Sequence, residues 1–171
     1  MAIPPETAIF LGQLLDRRFE VRAFMAPGGF GYVYEGYDRA VDRPVAIKVL
    51  KPAAGTSGVL EFDTECKLLA KASSATNIVS MIAEGQTTVT LTAAVTGAVI
   101  PIACRYVVLE LADGTLSDVI VNLGRIDWEE RLTLFRQVVL GFINFIGCTL
   151  STAISRLRTS CSSQVLPQRR R

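Results

Sequence analysis

Three short runs near the start of the chain alternate apolar and polar residues: Phe19 to Met25, Tyr32 to Tyr37 and Val45 to Leu50. A period of two sends successive side chains to opposite faces, so each run predicts a strand. Pro27-Gly28-Gly29-Phe30-Gly31 supplies the turn between the first two, and Ala40-Val41-Asp42-Arg43-Pro44 the next. In the third strand Val45, Ile47 and Val49 share one face, while Ala46 and Lys48 share the other. Pro52 to Gly58 reads as a connector, and the spacing predicts a helix over Val59 to Ala72 with Glu61 and Glu65 on one face. Further strands are expected near Ile78 to Glu84, Thr87 to Ala94 and Arg105 to Leu111. Thr115-Leu116-Ser117-Asp118 has the form of a capping box opening a short helix, and Asp127 caps another. Leu132, Leu134, Phe135, Val138, Val139, Phe142, Ile143 and Ile146 then predict a long helix that is apolar on more than one side.

Composition changes this picture in two places. With 171 residues, half of them hydrophobic, the chain can build one domain with a core. The net charge of +2 hides an uneven distribution, because all 16 acidic residues precede residue 131 and only arginines, seven of them, follow. Such a split marks a tail of different origin or role. Residues Gly85 to Cys104 and Gln137 to Ser155 carry no charge, but repeated threonine and serine, with Pro101 in the first and Asn144 in the second, make poor membrane spans. Cys66, Cys104, Cys148 and Cys161 are scattered singly and the chain has no histidine, which argues against zinc and against a disulfide framework. Met1 to Glu6 lacks a basic region followed by an apolar core, so reduced thiols and a cytoplasmic location are expected.

The candidate chemistry lies between Met25 and Glu65. Glycines at 28, 29 and 31 let backbone close over phosphates that a Cβ would push away, and amides in such a bend point at an anion. Lys48 supplies a cation, and Glu65 is the carboxylate able to hold it in place. Taken alone, the glycine turn is an ordinary hairpin and Glu65 a surface carboxylate. The glycines followed by Val33, then Val45-Ala46-Ile47-Lys48, then Glu65-Cys66-Lys67-Leu68-Leu69 and Asn77-Ile78-Val79, resemble the amino-terminal lobe of a protein kinase in order and spacing. The run Arg43 to Pro52 is most similar to the bacterial serine/threonine branch. The resemblance covers Arg18 to Ile146, about half of a full catalytic domain.

That resemblance implies an α+β fold: an antiparallel five-stranded sheet with one helix, followed by the first helices of a second, truncated lobe. It divides the chain into a leader (1–17), the first lobe (18–111), a hinge with part of a second lobe (112–146) and a disordered Ser/Thr/Arg-rich tail (147–171). It implies ATP as ligand, with Met25, Val33 and Ala46 as a roof over the adenine ring, Ala26 opening the glycine-rich loop, and Gly28, Gly29 and Gly31 over the phosphates. Lys48 would contact the α and β phosphates with Glu65 positioning it, and Leu109, Glu110 and Ala112 would form the hinge edge of the pocket. Ala26 stands where the family pattern has its first glycine. The loops that would supply a catalytic aspartate and a magnesium-binding aspartate are missing, since no aspartate follows Asp127. No metal ligand is therefore assigned, although magnesium would accompany ATP. The abrupt change near Ile146 reads as a frame shift or truncation. Two functions follow from this: an ATP-binding kinase lobe without transfer activity of its own, or a pseudokinase-like module that binds another protein through the apolar helix 131–146. The arginine-rich tail lacks interleaved aromatics, so nucleic acid is not an expected partner.

Overall fold

The computed structural model describes residues 5–92 and 98–162. A short 3₁₀ helix, Pro5–Phe10, leads into strands β1 (Leu14–Leu15), β2 (Phe19–Pro27), β3 (Gly31–Asp38) and β4 (Arg43–Leu50). Helix α1 (Gly55–Ala72) precedes β5 (Met81–Thr92) and β6 (Val99–Glu110), and α2 (Leu116–Val121) and α3 (Trp128–Ser162) follow. The sheet is antiparallel with order β1-β2-β3-β4-β6-β5. The α+β class agrees with expectation, but the sheet has six strands rather than five.

The sixth strand comes from the expected leader. Leu14 and Leu15 pair with Glu20 and Phe19 through a tight turn in which Asp16 and Arg17 have φ of 47° and 57°. Asp16 and Arg17 are consecutive left-handed residues in a three-residue loop, closed by the Arg18 N–H on the Leu15 carbonyl at 3.0 Å, and such a left-handed pair is usually signalled by Asn-Gly. Asp-Arg carries no such signal. Phe10 and Leu15 are fully buried in the core beside Phe19, Val21, Tyr34 and Val45. The segment is thus part of the sheet's packing.

Alternation in β4 sorts the two cores as the sequence predicts. Val45, Ile47 and Val49 enter the larger cluster with Tyr32 and Tyr34, under the 3₁₀ helix. On the other face Leu50 and Val107 pack against Phe62 and Cys66 of α1. Helix α1 starts at Gly55, four residues before the expected Val59, and Gly58 in its first turn is buried against the Ala54 methyl. The segments expected as separate strands at 78–84 and 87–94 form one strand, β5, within the described residues. Gly85 lies inside it, where its missing side chain makes room for the Tyr106 hydroxyl, which donates to the Asp16 carboxylate.

Both predicted caps form. Thr115 Oγ1 donates to Asp118 Oδ2 at 2.6 Å, and Asp127 Oδ1 accepts the Glu130 amide at 2.8 Å. Helix α3 docks on the loop after α1, where Asn144 Nδ2 donates to the Thr76 carbonyl at 3.0 Å. It continues to Ser162, through most of the stretch expected as a disordered tail. Gly147 is the sole glycine after Gly141 and no proline occurs between Pro101 and Pro167, so nothing in the backbone chemistry forces the helix to stop. Residues 163–171, the rest of that expected tail, lie outside the described residues, as do 93–97 of the expected strand 87–94.

Candidate nucleotide site

Strand register brings the expected site residues into two rows on the α1 side of the sheet. One row is Ala26, Val33, Lys48 and Val107, each paired with the next across β2, β3, β4 and β6. The adjacent row contains Ala46 and Leu109 as direct partners. Met25 falls in the register shift between Phe24 and Ala26, a bulge that leaves it without a partner in the ladder. Half of its surface is exposed.

Lys48 leaves β4 beneath the bend at residues 28–30. A Cβ on Gly31 would stand 2.8 Å from the Val49 carbonyl and 3.2 Å from Lys48 Cγ, so only glycine fits. Gly28 donates its N–H to the Gly31 carbonyl at 2.8 Å and closes the turn. Gly29 faces open space. The Lys48 ammonium donates to both Glu65 carboxylate oxygens, 2.6 Å to Oε2, across the gap between sheet and helix. The lysine side chain is 15% exposed and the glutamate 39%, so solvent reaches the pair from the glutamate side. A two-oxygen grip fixes where the ammonium points, which a lysine on a flexible stem cannot do alone.

Two further side chains hold this geometry, and the sequence reading missed both. Arg105 of β6 forms a fork on Asp63 of α1, 3.0 Å and 2.8 Å, two residues before Glu65. It ties the helix to the sheet close to the pair. Lys51 Nζ donates to the carbonyls of Gly28 and Gly29, each at 2.9 Å. Its position directly after β4, in register with the far end of the bend, was the available signal. Beside Glu65, the buried Cys66 thiol is pushed up to about 11, by burial first and then by the charges of Glu84, Glu65 and Asp63.

At the end of β6, Glu110 pairs with Val45 and its amide donates to the Ser80 carbonyl at 3.0 Å. The amide is therefore already engaged within the sheet. Ala112 is exposed beyond the strand. A separate cavity of about 310 Å³ lies between α1 and the β5–β6 hairpin, lined by Phe62, Cys66, Lys67, Glu84, Gln86 and Arg105 among others. None of the expected nucleotide residues lines it. Among the described residues no three of His, Cys, Asp and Glu come together to hold a metal, and no helix is long and apolar enough to cross a membrane.

No model of a known protein family matches the chain. Over 70 residues it is 41% identical to the serine/threonine-protein kinase PknL of Mycobacterium bovis, and 40% identical to PknL of Mycobacterium tuberculosis. The matched stretch is 41% of this chain and 17% of the length of the relatives. Over that stretch the identity supports a relationship to the serine/threonine protein kinases.

Proposed function

We propose that this chain is an ATP-binding lobe of protein-kinase type. The single observation carrying the reading is the Lys48 ammonium, gripped by Glu65 and lying under the Gly28–Gly31 bend. A fixed cation, open glycine backbone and an apolar shelf of Val33, Ala46 and Leu109 match the three parts of a nucleoside triphosphate: charge, phosphate chain and flat base. Lys48 would hold the phosphates with Glu65 positioning it; Gly28, Gly29 and Gly31 would lie over them, and Leu109, the Glu110 carbonyl and Ala112 would edge the base. ATP, when bound, supplies the transferable phosphoryl group. This chain's own residues bind and orient it.

Transfer needs further groups: a base beside the acceptor hydroxyl and carboxylates for magnesium. The sequence contains no His-Arg-Asp or Asp-Phe-Gly to supply them. Binding without transfer is therefore the expected behaviour, in the cytoplasm where ATP is abundant. Titration calorimetry with Mg-ATP checks it. Lys48→Met should weaken binding at least about tenfold, the loss of one charge-assisted contact to phosphate. Unchanged affinity in that variant, or labelled phosphate transferred to any protein by the pure chain, would overturn the reading.

A second reading, a pseudokinase-like interaction module, has one observation in its favour. Phe135 and Phe142 are 67% and 64% exposed on α3, a helix apolar on more than one side. Association that persists without nucleotide and disappears in the double variant Phe135→Glu, Phe142→Glu would favour it.

A further inference from the structure

The bend between β2 and β3 is held by more than its own turn. Lys51 Nζ takes the carbonyls of Gly28 and Gly29, while the Lys51 backbone N–H donates to the Phe30 carbonyl at 3.0 Å. Three successive carbonyls of the bend are therefore committed to one residue. The ammonium also lies 5.3 Å from the centre of the Tyr32 ring. That ring belongs to the core on the sheet face away from α1 and is itself anchored, its hydroxyl donating to Glu6 Oε1 at 2.8 Å.

The orientation of these carbonyls fixes the amides. In a trans peptide the N–H points opposite to the C=O of the same plane, and none of the described peptides is cis. Drawing the Gly28 and Gly29 carbonyls toward Lys51 turns the N–H groups of Gly29 and Phe30 the other way. Lys51 sits on the Tyr32 side of the sheet and Lys48 on the α1 side, so the two amides turn toward Lys48. Neither amide has a hydrogen-bond partner among the described residues. Two adjacent unpaired amides facing a fixed ammonium form a receptor for an anion such as a phosphate.

We propose that Lys51 is a positioning residue of the nucleotide site, a clamp that holds the glycine-rich bend with the Gly29 and Phe30 amides facing Lys48. Glu6 and Tyr32 brace it from the opposite side. The proposal rests on the nucleotide reading and adds to it the residue that sets the phosphate-facing geometry of the bend. Lys51 touches the phosphates in no part of this arrangement. Its effect passes through the backbone.

The test uses the full chain, with Lys51→Met and Lys51→Arg beside Lys48→Met. Calorimetric titration with Mg-ATP and with adenosine separates phosphate from base recognition, and hydrogen exchange of the bonded Gly28 and Lys51 amides reads the clamp. Lys51→Met should speed exchange in the bend and weaken ATP about tenfold while adenosine affinity stays within twofold, because only phosphate meets the amides. Lys51→Arg, which keeps a donor in reach of both carbonyls, should recover most of the ATP affinity. Faster exchange with unchanged ATP affinity would make Lys51 a structural tie only and overturn the proposal. So would equal losses for ATP and adenosine. If the unaltered chain binds no ATP, the nucleotide reading falls and the proposal with it. ATP bound equally by the unaltered chain and Lys51→Met removes the proposal alone.

Discussion

Asp38 places a buried carboxylate in the sheet. Its carboxylate is fully buried at the end of β3 and accepts from Arg18 Nε and Nη2, both at 2.8 Å, and from the Ala40 amide at 3.1 Å. The Arg18 guanidinium, ahead of the Ala40 amide, holds the carboxyl below the usual carboxylate range, against the opposing effect of burial. A depressed folded-state value contributes stability that is present above the unfolded carboxyl value, near 4, and is lost as pH falls through the folded one. Asp38→Ala should therefore destabilise the fold by about 2 kcal/mol at pH 7, less than a fully buried pair because Arg18 is 39% exposed. The difference from the unaltered chain should shrink as the pH drops below about 4, where the carboxyl becomes neutral. Urea denaturation at pH 7, 5 and 3 measures both, and a pH-independent difference would remove Asp38 from the account.

Among the elements, α3 depends most on a single close approach. A Cβ on Gly141 would lie 2.6 Å from the Asn77 carbonyl, in a loop where Asn77 itself has φ of 63°. Gly141 is buried while Val138, Leu140 and Phe142 around it are exposed, so one narrow strip of the helix is docked. Alanine would gain about 1 kcal/mol of helix propensity, but its methyl meets backbone and not a flexible side-chain end. A larger residue adds bulk without that compensation. Gly141→Val should cost about 1–3 kcal/mol of docking. Hydrogen exchange should quicken over 128–146 and leave β2, β3 and β4 unchanged. Uniform loss of protection across sheet and helix would show that α3 is no separate unit.

For the molecule as a whole, two cores share one sheet, and a cysteine reports on each. Cys104 lies in the larger cluster under the 3₁₀ helix and Cys66 in the smaller one beneath α1. Burial is the main reason that both thiols are pushed up to about 11. At pH 8 the thiolate fraction is then about one in a thousand, and the residues are only 4% and 2% exposed. Iodoacetamide should leave Cys66 and Cys104 unmodified in the native protein and label both on unfolding in urea, with mass spectrometry locating each site. Labelling of Cys66 alone at low urea would show that α1 lifts from the sheet before the larger core opens. That outcome would also unmake the Lys48–Glu65 pair, because α1 carries Glu65.

Periodicity in the sequence was enough to assign β2, β3 and β4, because half-buried strands must alternate and Val45, Ile47 and Val49 have no other way to be buried together. The glycines, Lys48 and Glu65 could be named for the same local reason: their residue types and intervals carry the chemistry. Local pattern could not reveal the turn at Asp16–Arg17, whose left-handed backbone is stabilised by strand pairing and not by its own residues, and so β1 stayed hidden. Nor could it merge β5 across Gly85, since the space there is required by Tyr106 from another strand. The distance from Lys48 to Glu65, the Arg105 tether and the hold of Lys51 on two carbonyls were set only when sheet and helix packed. Those contacts join residues far apart in the chain, and side-chain reach between elements is a property of packing that no single stretch contains.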